Sequence, residues 1–456
     1  MATSQGTAAI AVIRVSGKDA FNICKKLCFN KAGRDFDFEK TQANSIHFCI
    51  LKEKDKIVDE AMVAVFKAPR SYSGENSVEI YCHGSVFIQQ RVIQLILSLG
   101  ARMANPGEFT LRAFLNGKID LAQADAVADL IASNSESSHK VAMQQMRGGY
   151  SGDLKQLRDQ LIQFASLIEL ELDFSEEDVS FADRDKFLDH LNIIDVSVNK
   201  LIRSFAFGNA IKNGIPVAIV GKPNSGKSTL LNTLFNEERA IVSDIAGTTR
   251  DTIEEELIIN GVKFRFIDTA GLRETVDTIE SLGVTRTILK MQQASVVIYL
   301  FDVHEITPSE LRSMVNETIA HIDSPATKLI LVGNKIDKEN SERIKKEFEN
   351  FPEKITFISA REKQHISDIT MQLSALFNED KLNSGESVVT NVRHLDALQK
   401  ASSALMKVKD GIENNLSREL LTSDIREALY YIGIITGEVS TEDLLQSIFS
   451  RFCIGK

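Results

Sequence analysis

The stretch Gly221-Lys222-Pro223-Asn224-Ser225-Gly226-Lys227-Ser228 fits the spacing G-x-x-x-x-G-K-[ST]. Residues of these types form a loop whose successive backbone N–H groups point at one spot, where an anion can sit. Lys227 is expected to reach the β- and γ-phosphates of a nucleotide, and the Ser228 hydroxyl to ligate Mg²⁺. About a hundred positions on stands Asn334-Lys335-Ile336-Asp337, an N-K-x-D element suited to reading guanine. Guanine offers N1–H and N2–H₂ donors that a fixed Asp337 carboxylate can accept together. Asn334 can address the base edge and brace the phosphate loop, and Lys335 can lay its stem over the base. Hydrogen bonds to a charged group contribute roughly 1.5–3 kcal/mol each, so losing the pair costs about 10²- to 10⁴-fold, enough to reject ATP. Ser359-Ala360 can close the other side of the base through backbone N–H groups. The two elements in this order point to a GTP-binding domain.

Between them lie two further pieces of phosphate chemistry. Asp268-Thr269-Ala270-Gly271 follows an apolar strand: Asp268 can hold the Mg²⁺ hydration shell and the Gly271 N–H can sense the γ-phosphate. Upstream, Gly247-Thr248-Thr249-Arg250-Asp251 supplies hydroxyls for a switch loop, and Thr249 is the expected Mg²⁺ ligand. The next residue after Gly271 is Leu272, which cannot orient an attacking water, and the phosphate loop carries no arginine. Positive charge must come from elsewhere. The side-chain carbonyl of Asn224 could hold a monovalent cation beside the β- and γ-phosphates, neutralising charge as an arginine would. Either Glu274 or Glu280 could position the water, and spacing does not choose between them.

These residues need elements to hold them. Ile215–Val220 is a short apolar run suited to a buried parallel strand, and Ser228–Leu234 reads as the helix that follows the loop. Strands are also expected at Phe264–Ile267, Ala294–Phe301, Leu329–Gly333 and Ile355–Ile358, so residues 215–378 alternate in the doubly wound pattern. The first 118 residues mix β-rich runs (Ala8–Val15, Asn44–Ile50, Ala61–Phe66, Ser77–Cys82) with a helix over Val86–Leu99, an α/β domain. From Leu121 the chain turns helical. Leu154, Leu157, Leu161, Phe164 and Ile168 recur at three- and four-residue steps, Ser175–Asp178 reads as an acidic turn or cap, and Asp185–Phe207 is helical again. After the polar linker Asn383–Glu386 the chain is helical once more. The economical architecture is multidomain α/β plus α, with the boundaries 1–118, 119–212, 213–378 and 379–456. The two helical flanks form one domain, and the nucleotide domain is inserted in it.

With 456 residues the chain is too long for one core, and 43% hydrophobic with 25% charged residues is ordinary for a soluble protein. No apolar run approaches the ~18–20 residues of a membrane helix, and the N-terminus lacks a signal pattern, so no membrane role and a cytoplasmic location are expected. Five cysteines without a C-x-x-C pair suggest reduced thiols; Cys24 and Cys28, one helical turn apart if helical, are two ligands and no metal site. A net charge of −10 means that RNA, if bound, meets a local basic patch or one shared with a partner.

The motifs outside the nucleotide domain carry a resemblance. The C-terminus Arg451-Phe452-Cys453-Ile454-Gly455-Lys456 and the upstream Ile435–Val439 and Glu442–Leu445 are similar to the MnmE (TrmE) family of tRNA modification GTPases. So are Ala11–Gly17, Pro69–Glu75, His83-Gly84, Pro106–Phe109 and Arg112–Asp125 in the N-terminal part, and the resemblance spans the whole chain. It implies an N-terminal dimerisation domain of a folate-binding-like fold, a helical domain built from two segments, and an inserted Ras-like GTPase. It also implies a homodimer through the N-terminal domain, and an FAD-dependent flavoprotein partner, MnmG or GidA. The pair would build a (carboxymethyl)aminomethyl-type group on C5 of the tRNA wobble uridine, with a reduced folate (5-formyl- or methylene-tetrahydrofolate) as one-carbon source.

By motif match, Arg14, Glu79, Lys118 and Lys456 would meet the folate, with Cys453 near its end of the site. A K⁺ ion would sit on Asn224, Ser243, Ile245 and Thr248, stimulating hydrolysis through pairing of two GTPase domains, and the resemblance maps the water-positioning acid onto Glu280. The GTP site assembled in this way comprises Asn224, Ser225, Gly226, Lys227, Ser228, Thr229, Ser243, Asp244, Ile245, Ala246, Gly247, Thr248, Thr249, Asp268, Thr269, Ala270, Gly271, Asn334, Lys335, Asp337, Ser359 and Ala360. Two departures stand out. Met1–Thr7 replaces the family's usual first strand, which is expected to be missing or shortened, and Ser243 stands where threonine is commoner. A competing reading from another class is a ribosome-assembly or regulatory switch GTPase, which the nucleotide motifs fit equally; the C-terminal motif favours tRNA modification.

Overall fold

The computed structural model describes residues 1–173, 184–239, 255–267, 288–322, 327–338, 341–376, 386–414, 416, 418–450, 452 and 455. The expected acidic turn at Ser175–Asp178 and most of the linker before Glu386 lie outside the described residues. The chain divides into two compact units, one of residues 1–128, 145–198 and 396–456, the other of residues 129–144 and 199–395.

In the first unit, strands β1 (Ile10–Ser16), β2 (Cys28–Phe29), β3 (Ser45–Glu53), β4 (Lys56–Phe66) and β5 (Ser77–His83) form an antiparallel sheet in the order β1-β5-β4-β3-β2. Residues 1–9 contribute no strand to it. Alternation sets the sheet's faces: Ala11, Ile13, Val15, Val78, Ile80 and Cys82 turn inward against the helices Ala20–Lys25 and Val86–Ser98. The opposite face carries Arg14 and Glu79, which are register partners across β1 and β5. Cys24 lies in the helix Ala20–Lys25 and Cys28 opens β2, so the two do not share a helix turn; both are buried in this core with Cys49 and Cys82. The helix Gly149–Asp173 buries Leu154, Leu157, Leu161, Phe164 and Ile168 on one stripe, as their spacing requires, and packs on the helix Arg418–Thr436.

The second unit holds a six-stranded sheet in the order β11-β10-β9-β6-β8-β7, built from β6 (Ile215–Val220), β7 (Glu255–Ile259), β8 (Val262–Phe266), β9 (Val296–Asp302), β10 (Lys328–Asn334) and β11 (Ile355–Phe357). Every pair is parallel except β7 with β8. β9 shows why the sheet is covered on both sides, since all seven of its residues are buried. Val296, Ile298 and Leu300 pack with Leu230, Leu234, Ile369 and Leu373, while Val297, Tyr299 and Phe301 pack with Leu311, Val315, Ile344 and Phe348. A run that is apolar on both faces fits only the interior of a helix-covered parallel sheet.

Residues on either side of the sheet's sequence also belong to this unit. The Ser137 N–H and hydroxyl donate to Gly261 O (3.1 and 2.9 Å), Lys212 pairs with Asp129 (2.7 Å), and the Val389 N–H donates to Ser204 Oγ (3.0 Å). Packing thus groups 199–212 and 386–395 with the nucleotide-binding sheet.

Candidate functional site

Three loops converge at the carboxyl end of the parallel strands, where β6 lies between β8 and β9 and the chain's order switches direction. Ligands of open α/β sheets bind outside such a point. β6 delivers the loop Gly221–Gly226 and the helix Lys227–Arg239; β10 delivers Asn334–Asp337; β11 delivers Ser359 and Ala360.

Gly226 has φ +101, and a Cβ there would stand 2.2 Å from Asn334 Nδ2. Only glycine lets the loop pass that close. Asn334, 3% exposed, uses this proximity: its Nδ2 donates to Ser225 O (2.8 Å) and its Oδ1 accepts the Ala360 N–H (3.0 Å). One amide thereby ties the phosphate loop to the loop beyond β11. Thr233, on the helix after the phosphate loop, adds a second tie by donating from Oγ1 to Ala360 O (2.9 Å). Each end of the Asn334 amide thus holds one protein partner, which makes the residue a brace between the two loops.

Lys227 Nζ donates to Gly221 O and Lys222 O (2.9 Å each), so its ammonium is held at the mouth of the loop. Burial, and to a lesser degree the charge of Lys290, hold its pKa below the ordinary lysine value. An arriving anion would reverse that shift. Ser225 Oγ is buried without a hydrogen-bond partner among the described residues, a donor left beside Gly221 in the wall of the loop. Asn224 is exposed at φ +62, a left-handed conformation asparagine tolerates. Ser228 and Thr229 lie in the first turn of the helix Lys227–Arg239.

At the turn after β10, Asp337 is exposed, and Ser359 Oγ donates to its Oδ1 (2.6 Å). The Glu362 N–H in turn donates to Ser359 Oγ (3.1 Å), fixing the hydroxyl. Ser359 therefore meets Asp337 through its side chain, an orienting contact the dipeptide alone could not reveal. Lys335 has φ +73, and its ammonium pairs with Asp302 Oδ2 (2.6 Å). Asp302 ends β9 directly opposite Asn334 in the strand register, and no sequence motif singled it out. The one available signal was an acid closing an otherwise hydrophobic strand.

Ser243, Asp244, Ile245, Ala246, Gly247, Thr248, Thr249, Asp268, Thr269, Ala270, Gly271, Glu274 and Glu280 lie outside the described residues. Cys453 and Lys456 do as well.

The first unit holds a separate site. Arg14 donates through Nε to Glu79 Oε1 (2.8 Å), and Tyr81 OH donates to Glu79 Oε2 (2.7 Å). The Arg14 guanidinium lies over the Tyr72 and Phe109 rings (5.5 and 5.4 Å) and reaches Gly455 O (3.5 Å). It opens onto a cavity of about 440 Å³ walled by Ile13, Met103, Phe109, Glu75, Arg112 and Gly455. At its rim Arg102 and Arg112 both grip Glu108, whose pKa falls to about 2, chiefly through the Arg102 hydrogen bond, with the Asn105 N–H and Arg112 adding and burial opposing. Arg14 and Glu79 are thus brought together as one ion pair. Lys118 stands on an exposed turn, donates to Pro69 O (3.0 Å) and does not line the cavity.

Comparison with known proteins sets these geometries in a family. Residues 121–453 match the family model described as the MnmE helical domain, and residues 1–118 match GTP-binding protein TrmE N-terminus. A tRNA modification GTPase MnmE from Flavobacterium psychrophilum is 52% identical over 456 residues, covering 100% of this chain and 98% of that protein. The protein of the same name from Bacteroides thetaiotaomicron is 47% identical over 462 residues, with 100% and 98% covered. A GTP-binding protein from Sulfolobus solfataricus in complex with GDP overlays with a TM-score of 0.26 at 17% identity, over 53% of this chain and 72% of that one, a likeness too slight to bear on the fold.

Proposed function

This chain belongs to the MnmE family of tRNA modification GTPases, and from that premise we propose that it hydrolyses GTP at the loop Gly221–Ser228 in the service of tRNA wobble-uridine modification. The single observation that carries the reading is the junction at Asn334, which joins the phosphate loop to the base-reading turn as one rigid socket.

In that socket Lys227 exchanges its loop carbonyls for β- and γ-phosphate oxygens, and the N–H groups of Ser225 to Thr229 surround the same anion. Asp337, oriented by Ser359, accepts the two guanine donors. Ser228 with Thr249 would hold Mg²⁺, and Asn224 with Ser243, Ile245 and Thr248 a K⁺ ion, whose charge offsets the negative charge developing on the phosphoryl oxygens. The exposed, left-handed Asn224 at the loop's tip suits that second role, and the orphaned Ser225 hydroxyl suits a phosphate-lined cavity. Glu280 is the proposed holder of the attacking water, which Leu272 cannot orient.

For the modification itself, the proposal includes a reduced folate at the Arg14–Glu79 pair with Lys118, Lys456 and Cys453, a homodimer through the N-terminal domain, and an FAD-dependent partner. The half-polar cavity beside Arg14 offers an apolar floor and a cationic rim, the chemistry a flat ring with carboxylates requires. We further propose the domain order of the sequence reading, with the GTPase inserted in a helical domain, and a cytoplasmic setting. No helix of the described residues is long and apolar enough to cross a membrane.

The test is nucleoside analysis of bulk tRNA from cells lacking this protein, paired with GTP turnover by the purified chain. Absence of the C5-modified wobble uridines, restored by the wild-type gene, supports the reading. Unchanged wobble uridines would sink it in favour of a switch GTPase of another pathway.

A further inference from the structure

We propose that Asp302 is a positioning residue for nucleotide binding: it draws Lys335 taut across the base site so that the lysine stem becomes one wall of the purine slot. This rests on the reading of Asn334–Asp337 as the base-reading element.

Four observations point to it. Asp302 is 2% exposed, and a buried carboxylate is retained only where partners compensate it. Its partners are specific: Lys335 Nζ at 2.6 Å on Oδ2, the His304 N–H at 3.0 Å on Oδ1, and Lys338 Nζ farther off at 3.8 Å. The strand register sets Asp302 level with Asn334, so the acid sits one residue from the lysine it holds, on the neighbouring strand. Finally, Lys335 is pinned at both ends. Its backbone is left-handed, a conformation that costs a non-glycine residue free energy, and its carbonyl lies 3.0 Å from His304 Nε2. A lysine held at both its carbonyl and its ammonium has its four methylenes confined between the two contacts. A free lysine would lose rotamer freedom on packing over a base; here the fold has already ordered the stem.

Stacking by a methylene stem does not distinguish the γ-phosphate state, so the effect must fall equally on GDP and GTP. Titration calorimetry of the full chain with GDP and with GTP, and turnover at saturating GTP, are measured for wild type, Asp302→Asn, Lys335→Met and the double variant. Asp302→Asn keeps the acceptor for His304 but removes the counter-charge. It should weaken both nucleotides about tenfold, with turnover at saturation within twofold of wild type. The double variant should bind no worse than Lys335→Met alone, because the two residues act through one stem. Lys335→Arg, which keeps a cation within reach of Asp302, should bind within threefold of wild type; it provides a test even if Asp302→Asn does not fold. Wild-type affinity in Asp302→Asn would overturn the proposal. So would additive losses in the double variant, a fall in turnover at unchanged affinity, or a Lys335→Arg as weak as Lys335→Met. Wild-type protein that fails to prefer GDP over ADP would overturn the base-reading assignment itself, a distinguishable failure.

Discussion

The side-chain amide of Asn334 donates to the carbonyl of Ser225 at 2.8 Å, across 109 positions of sequence, and so makes the loop Gly221–Gly226 and the turn after β10 parts of one structure. Asn334→Ala strands both the Ser225 carbonyl and the buried Ala360 N–H. At roughly 1–3 kcal/mol for unsatisfied groups of this kind, GTP affinity should fall about 10- to 100-fold. Calorimetric titration with GTP checks it; an affinity within twofold of wild type would remove the brace from the account.

Gly226→Ala should abolish nucleotide binding more completely than it destabilises the fold. The added methyl meets Asn334 Nδ2 at 2.2 Å in a backbone conformation with φ +101, so the loop must move off Asn334. The measurement is GDP binding alongside the thermal midpoint. Retained binding would mean that the loop tolerates a shift of the brace.

Asp337→Asn should convert guanine preference into xanthine preference, because the new amide presents a donor where xanthine presents an acceptor. Ser359 would still hold the side chain, since an amide oxygen accepts its hydroxyl as the carboxylate did. Competition between GTP and XTP reads the outcome. Unchanged GTP affinity refutes the assignment.

Glu108 gives a pH signature in the first unit. Its folded pKa of about 2 lies below the ~4.3 of an unfolded glutamate, so its contribution is complete above about pH 5 and lost as pH falls toward 2. Solvent at the largely exposed Arg102 screens the pair, leaving ~1–2 kcal/mol. Denaturant unfolding from pH 6 to pH 2.5 should show wild type losing about that much more than Glu108→Gln. Parallel curves would show that the network adds no acid-linked stability.

GTP turnover should depend on the identity of the monovalent cation. KCl should exceed NaCl at equal ionic strength by at least about tenfold in kcat, the equivalent of ~1.4 kcal/mol of barrier, since screening is the same for both salts. Asn224→Gly preserves the left-handed loop while deleting the carbonyl, and should erase the difference yet keep GTP binding. Equal rates in wild type would reopen the search for an external source of positive charge.

Much of the site was legible in the chain because its signals are local. Gly221–Ser228 and Asn334–Asp337 are runs whose spacing alone dictates a phosphate loop and a polar turn. The strands that bear them, Ile215–Val220 and Lys328–Asn334, are apolar runs of the length a buried parallel strand requires. The stripe Leu154 to Ile168 likewise announces its own helix. What the tertiary structure decided is which residues meet. Register and crossover order bring Asp302 level with Asn334, Thr233 onto the Ala360 carbonyl, and Arg14 opposite Glu79, and none of the three depends on any short-range pattern. The pairing of Arg14 with Gly455, 441 positions apart, is the extreme case. A charged or small residue carries no record of its distant partner, because that choice is made by how whole sheets and helices bury their apolar faces, and the polar side chains take the neighbours that packing leaves them.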